Sequence, residues 1–233
     1  MSHRLDVWKS ECPVVDSVKF GMILAVVGGF LDAYTYIGRG GIFCNAQTGN
    51  IVLVGVYAGL GKWDSALIHI PPIIAFMLGV FVAESIKDSP RKTRAWDWAS
   101  IVLTTELVAI VIVGFIPASA SNIPISIVVS FVSSLQVSSF RKLVDSPYNT
   151  TMSTGNLRSA TQAAYIAITK KDRQAAVRSM RYYLIILSFV GGALIGGVLT
   201  HRVGIHAIWF SGLILSGGLL LYLTHRTKGE SGS

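Results

Sequence analysis

The chain has 233 residues, of which 52% are hydrophobic and only 14% charged, with a mean hydropathy of +0.57, whereas about a quarter of the residues of a soluble domain are charged. Several apolar stretches of roughly 20 residues with short connectors use up such a length, which excludes a soluble catalytic domain, a Rossmann-type enzyme, a nucleic-acid module and a secreted disulfide scaffold. The net charge of +8 is therefore read against anionic lipid and the two sides of a bilayer, not against DNA or RNA.

Residues 1–17 carry Asp6, Glu11 and Asp16 among their basic side chains, and no small-x-small cleavage site follows the first apolar run. They read as a cytoplasmic N-terminal segment, not a signal peptide. Cys12 here and Cys44 further on show no CxxC or Cys/His metal spacing, so neither a structural disulfide nor a metal site is expected. Apolar runs of spanning length follow at 18–37, 66–86, 98–116, 123–140, 182–200 and 205–224. Two shorter helical stretches, 50–61 and 156–169, rise about 1.5 Å per residue and so cover about half a bilayer each. A cytoplasmic tail, 225–233, closes the chain.

The distribution of Lys and Arg chooses a topology, because cytoplasmic loops collect both. If both short stretches cross the bilayer, 8 basic residues lie outside and 11 inside, with Arg158 within the second stretch. If each stretch dips in and returns, only Arg39, Lys62 and Arg202 are outside and 16 are inside. The second arrangement is expected, giving six spans with both termini cytoplasmic. Trp63, Trp96, Trp98 and Trp209 then fall at span ends, where indole rings favour the headgroup layer.

The two halves resemble one another. Thr48-Gly49-Asn50 opens the first short stretch and Thr154-Gly155-Asn156 opens the second, while Phe76-x-x-Gly79 matches Phe189-x-x-Gly192 in the spans that follow. Three spans per half is an odd number, so the second half inserts upside down. The expected fold is an all-α polytopic membrane protein of six transmembrane helices in a 3+3 inverted repeat. The first repeat covers 18–116 with a re-entrant segment at 39–61, and the second covers 117–224 with a re-entrant segment at 142–169.

Gly28-Gly29-Phe30-Leu31-Asp32-Ala33, followed by Gly40-Gly41-Ile42-Phe43-x-Asn45-Ala46-Gln47-Thr48-Gly49-Asn50, resembles the signature of the YoaK-like, DUF1275 (UPF0700) family of bacterial membrane proteins. Gln136 ahead of Phe140-Arg141-Lys142 and then Thr154-Gly155 resembles that family's weaker second motif, although Ser or Leu stands where a Gly precedes the Gln. The resemblance covers almost the whole chain and implies a six-span protein of the bacterial inner membrane. It names no substrate.

Asp32 lies well inside the first span and Glu106 near the centre of the third. A carboxyl on the lipid face costs about 2.5–3.5 kcal/mol on insertion scales, so each should face the bundle interior, a partner or water. Asp32 can brace the TGN loop, or handle solute or protons; Glu106 can be a protonated acid bonding between helices, or share that work. In the six-span arrangement both short helices start at the midplane, where helix N-termini present N–H groups and about half a positive charge each. Thr48 and Thr154 are expected to cap them, Gly49 and Gly155 to permit the tight turn, and Asn50 and Asn156 to offer amides to a ligand. Asn45, Gln47 and Gln136 from the same motifs complete the candidate binding set. Arg158, one turn further on, can pair with Asp32 or Glu106 or contact an anionic solute. The plainer alternative is that TGN only caps a re-entrant turn.

Pro71-Pro72 kinks or starts a span, and His69, His201, His206 and His225 sit near span ends. Gly55-x-x-x-Gly59 and Gly192-x-x-x-Gly196 allow close helix approach within the bundle or in a homodimer. The leading expectation is a small-solute carrier, for anionic or polar solutes, with a midplane site between the TGN half-helices. The alternatives are a channel, an intramembrane lipid-modifying enzyme and a non-transporting assembly factor. No GxSxG, HExxH or paired-acid spacing supports an enzyme. The expected partners are lipid and a small-molecule or ion substrate, with no cofactor and no nucleic acid.

Overall fold

Ser17 starts the first long helix: its side-chain oxygen accepts from Phe20 N–H at 3.3 Å and caps α1, Val18–Gly38. The structure, a computed structural model, describes residues 12–88, 97–151 and 153–230. The expected N-terminal segment up to residue 11, the basic run at 91–94, Trp96 and the last three residues lie outside them. The chain leaves α1 through Gly40 and Gly41, at φ +87° and +78°, a left-handed bend that costs glycine least. It enters α2, Gln47–Gly59, then a single turn, α3, Trp63–Leu67. Pro71 and Pro72 fall in the first turn of α4, Ile70–Asp88, so they start this helix and do not kink it.

Asp97 caps α5, Trp98–Phe115, by accepting from Ser100 N–H at 2.9 Å. After α6, Asn122–Ser139, a two-residue antiparallel ladder pairs β1, Lys142–Leu143, with β2, Ser146–Pro147. The loop is tied to the segment before α1, where Val144 N–H donates to the Asp16 carbonyl at 2.7 Å and Lys142 lies 3.7 Å from the Asp16 carboxylate. Burial raises the Asp16 carboxyl above its ordinary range, and Lys142 pulls it back down. α7, Ser153–Lys170, and α8, Arg173–Val203, form a hairpin, with Asp172 capping α8 through Gln174 and Ala175 N–H. A turn at 204–207 leads into α9, Ile208–Glu230.

Among the described residues five segments are long and apolar enough to cross a membrane: Val18–Gly38, Trp63–Ser85, Trp98–Phe115, Asn122–Ser139 and Arg173–Thr227, the last of 55 residues taking in α8 and most of α9. The short helices differ from expectation at their starts. α2 begins at Gln47 and α7 at Ser153, three residues before the expected Asn50 and Asn156. With 18 residues, α7 is about 27 Å long and exceeds half a bilayer.

α1 packs along α8, and α4 along α6; α2 rests on α4, and α7 on α8. α5 contacts α6 and α9, and α9 also contacts α1. The tightest crossings run over glycine. A Cβ on Gly29 would stand 2.0 Å from the Phe189 carbonyl oxygen, one on Gly192 2.1 Å from that of Val26, and one on Gly79 2.6 Å from that of Phe131. The small-residue spacing at 192–196 thus serves the bundle, whereas Gly55 and Gly59 of α2 have nothing within 4 Å. Phe20, Leu24, Phe30, Leu31, Leu103 and Ile110 are fully buried between the helices, and Phe81, Phe115, Leu187 and Leu213 stay exposed for lipid.

Arg39, expected on the outer side, is completely buried. Its Nε donates to Tyr34 Oη at 2.9 Å, its Nη2 to the carbonyls of Ile116 at 2.9 Å and Val113 at 3.5 Å, and its Nη1 to that of Pro117 at 3.4 Å. The last carbonyls of α5 carry the negative end of its dipole, and of those that Arg39 reaches Val113 also accepts from Ile116 N–H at 3.1 Å. A planar guanidinium with five donors closes that end.

Candidate functional site

A cavity of about 880 Å³ opens between α1, α8 and the starts of α2 and α7. Two loops build it, and both converge on Gly28 near the middle of α1. Asn45 Nδ2 donates to the Gly28 carbonyl at 3.2 Å, and a Cβ on Gly28 would stand 2.4 Å from the Thr151 methyl. Each loop is held by its TGN asparagine in the same way. Asn50 Nδ2 donates to the Phe43 carbonyl at 2.7 Å while its Oδ1 accepts from Phe43 N–H at 3.1 Å. Asn156 Nδ2 donates to the Asn149 carbonyl at 2.5 Å while its Oδ1 accepts from Asn149 N–H at 3.2 Å. In both halves the amide closes a ring with the backbone seven residues upstream.

This geometry corrects the expected roles of several residues. The amides of Asn50 and Asn156 are engaged by backbone and shape the loops. Thr48 caps nothing: the residue before α2 is Ala46, without a side-chain cap, and Thr48 and Thr154 lie inside the first turns of α2 and α7. Gly49 sits against the Phe43 ring, where a Cβ would come within 2.9 Å of Cδ2, but Gly155 has open space around it. Glu106 and Gln136 bond each other across α5 and α6, with Gln136 Nε2 donating at 3.0 and 3.3 Å, and neither lines the cavity. Arg158 is exposed on α7 in an adjoining groove with Thr161, Gln162 and Tyr165, which shares Thr154 with the cavity, and it forms no bond with Asp32 or Glu106.

Asp32, Asn45, Gln47, Thr48, Thr154 and Gly155 do come together on the cavity wall. Asp32 Oδ1 accepts from Asn45 N–H at 2.7 Å, from Ala46 N–H at 3.4 Å and from Cys44 Sγ at 3.4 Å, bracing the approach to α2. Gln47 Nε2 donates to the Cys44 carbonyl at 2.8 Å. Cys44 is buried and, like Cys12, unbridged.

Three further residues at the site were outside the expected binding set. His69 is buried, its Nδ1 is 3.3 Å from Asn50 Oδ1, and its ring stacks on Tyr57 at 5.9 Å; no spacing marks it. Phe76 and Phe189 both line the cavity, and the repeat match had already paired them. Among the described residues no group of three or more His, Cys, Asp or Glu side chains could hold a metal ion.

Nearly all-helical, with long apolar helices packed over glycine and buried polar loops, the chain is defined by its fold as a polytopic membrane protein. The profile of the family described as "Protein of unknown function (DUF1275)" matches residues 20–221, and the chain belongs to that family. It is 24% identical over 217 residues, 89% of this chain and 94% of the relative, to the UPF0700 transmembrane protein YoaK of Bacillus subtilis (strain 168). No solved structure matches it.

Proposed function

We propose that the protein is a bacterial inner-membrane carrier for a small polar or anionic solute, built as two inverted three-span halves around the cavity, with both termini cytoplasmic. Exchanging α1 for α6, α2 for α7, α4 for α8 and α5 for α9 turns the observed helix pairings into one another. Gly79 on Phe131 corresponds to Gly192 on Val26, and the asparagine clamps correspond as well. In this reading α8 and α9 are separate spans and α2 and α7 are re-entrant. Such repeats are common in carriers, which bind solute at discontinuous helices near the midplane and rock one half against the other.

The observation that carries the proposal is the lining of the cavity. It takes the first turns of both short helices, Gln47 and Thr48 from one and Thr154 and Gly155 from the other, together with Phe76 and Phe189 from corresponding spans. Helix N-termini facing one space favour oxygen-bearing and anionic groups. Ala193, on the cavity wall, provides the test. In Cys12→Ser protein reconstituted in one orientation, Ala193→Cys is expected to react with an impermeant maleimide added from either side, with no unitary currents in planar bilayers. Reaction from one side only contradicts a carrier, and unitary currents favour a channel.

A further inference from the structure

α2 and α7 follow corresponding loops in the two halves, yet the faces they leave uncovered differ in chemistry. Aligned on their TGN motifs, Thr48, Val52 and Val56 of α2 match Thr154, Arg158 and Gln162 of α7, and all six are exposed. Steps of four residues put each set on one stripe of its helix, and the exposed Tyr165 and Thr169 continue the α7 stripe towards Lys170. After Thr48 the α2 stripe is apolar and suits acyl chains. The α7 stripe does not, because an arginine and a glutamine turned to hydrocarbon are costly. At 1.5 Å per residue Arg158 lies about 18 Å along the helix from Lys170, too far for its side chain to reach the headgroups at that end. Packing against the same stripe of a second copy would set guanidinium beside guanidinium, since α7 carries no acidic residue. Water suits both side chains, and it has somewhere to lead: the groove of about 630 Å³ that Arg158 and Gln162 line shares Thr154 with the cavity.

Resting on the reading of the cavity as the solute site and of α7 as re-entrant from the cytoplasmic side, we infer that the α7 stripe is the wet cytoplasmic entrance to the cavity, and that Arg158, one turn short of Thr154 on the way in, favours anionic solutes there. An exposed guanidinium raises the local concentration of anions and lowers that of cations, so it acts on approach without a bond inside the cavity. Thiol reagents of opposite charge test this with no solute in hand. In Cys12→Ser protein, whose remaining Cys44 is buried, cysteines are added one at a time at Gln162, Val56 and Thr154. Each is treated from either face of oriented vesicles with the sulfonatoethyl (anionic) or the trimethylammonioethyl (cationic) methanethiosulfonate. Gln162→Cys is expected to react from the cytoplasmic face about tenfold or more faster than its α2 match, Val56→Cys, reacts from either face. At Thr154→Cys, Arg158→Gln should lower the anion-to-cation rate ratio about threefold or more, while Arg158→Lys leaves it unchanged; the ratio cancels any change in the thiol's own reactivity. If Arg158→Gln does not fold, the comparison of positions 162 and 56 decides. A ratio indifferent to Arg158→Gln, or a position 162 as slow as 56, overturns the entrance and leaves the cavity standing. Disulfide-linked dimers of Gln162→Cys overturn it too, giving the stripe to a second copy. Reaction of Gln162→Cys from the outer face overturns the re-entrant topology as well.

Discussion

Gly29→Ala is expected to remove folded protein from the membrane. The added Cβ would stand 2.0 Å from the Phe189 carbonyl oxygen and 3.0 Å from the Ala193 amide nitrogen, both backbone atoms that no side-chain rotation can relieve. α1 and α8 would have to separate along their whole crossing, with a penalty of about 3 kcal/mol or more. Gly191→Ala is the matched control, since Gly191 has nothing within 4 Å, and its α8 helix should gain slightly from the better helix former. Size-exclusion profiles of the detergent-extracted variants compare the two. A monodisperse Gly29→Ala protein with unchanged melting temperature would show that the α1–α8 contact is looser than described.

The second large effect is expected at the asparagine clamps. Asn50→Ala strips both partners from the Phe43 N–H and C=O, and Asn156→Ala does the same to Asn149. An unmatched buried group costs about 1–3 kcal/mol; these two are part-buried, which favours the lower half of that range, so either variant should lose about 2–4 kcal/mol. Asn50→Asp keeps an acceptor for Phe43 N–H but loses the donor to Phe43 O and Gln47 Oε1, and it should fall between wild type and Asn50→Ala. Thermal unfolding in detergent gives the order. Wild-type melting of Asn50→Ala combined with lost solute binding would return the asparagine to the role of a ligand contact.

These residues also show what the sequence makes legible. Spans could be placed from hydropathy because lipid imposes length and composition directly, and 98–116 and 123–140 differ from α5 and α6 by a residue or so at either end. The TGN repeat marked both loops that reach Gly28, and the double glycine with Asp32 marked the helix that receives them. The roles within those motifs were hidden. An amide at a helix start looks the same whether it faces a ligand or its own chain, and only the path of residues 43–46 and 149–151 returns Phe43 and Asn149 to the asparagines. Arg39 was hidden for a similar reason. Its position suggests a loop charge, and its burial depends on α5 ending beside it, 74 or more residues further along the chain. Arg158 is the converse case. Its place one turn into the short helix suggested a midplane cation, but it lies on the same face of α7 as Thr154, one turn further along, in an exposed groove beyond the cavity lining.

The inverted-repeat architecture is the central claim, and the sidedness of four connecting positions tests it most directly. Cysteines added one at a time at Lys62, Lys87, Lys171 and Arg202 in Cys12→Ser protein, whose remaining Cys44 is buried, can be probed in intact cells with an impermeant maleimide, before and after permeabilisation, against the unsubstituted Cys12→Ser protein. If α2 and α7 are re-entrant, positions 87 and 171 share the cytoplasmic side and label only after permeabilisation, while 62 and 202 label at once. If both short helices cross, 87 and 171 fall on opposite sides of the membrane, and that result would contradict the architecture.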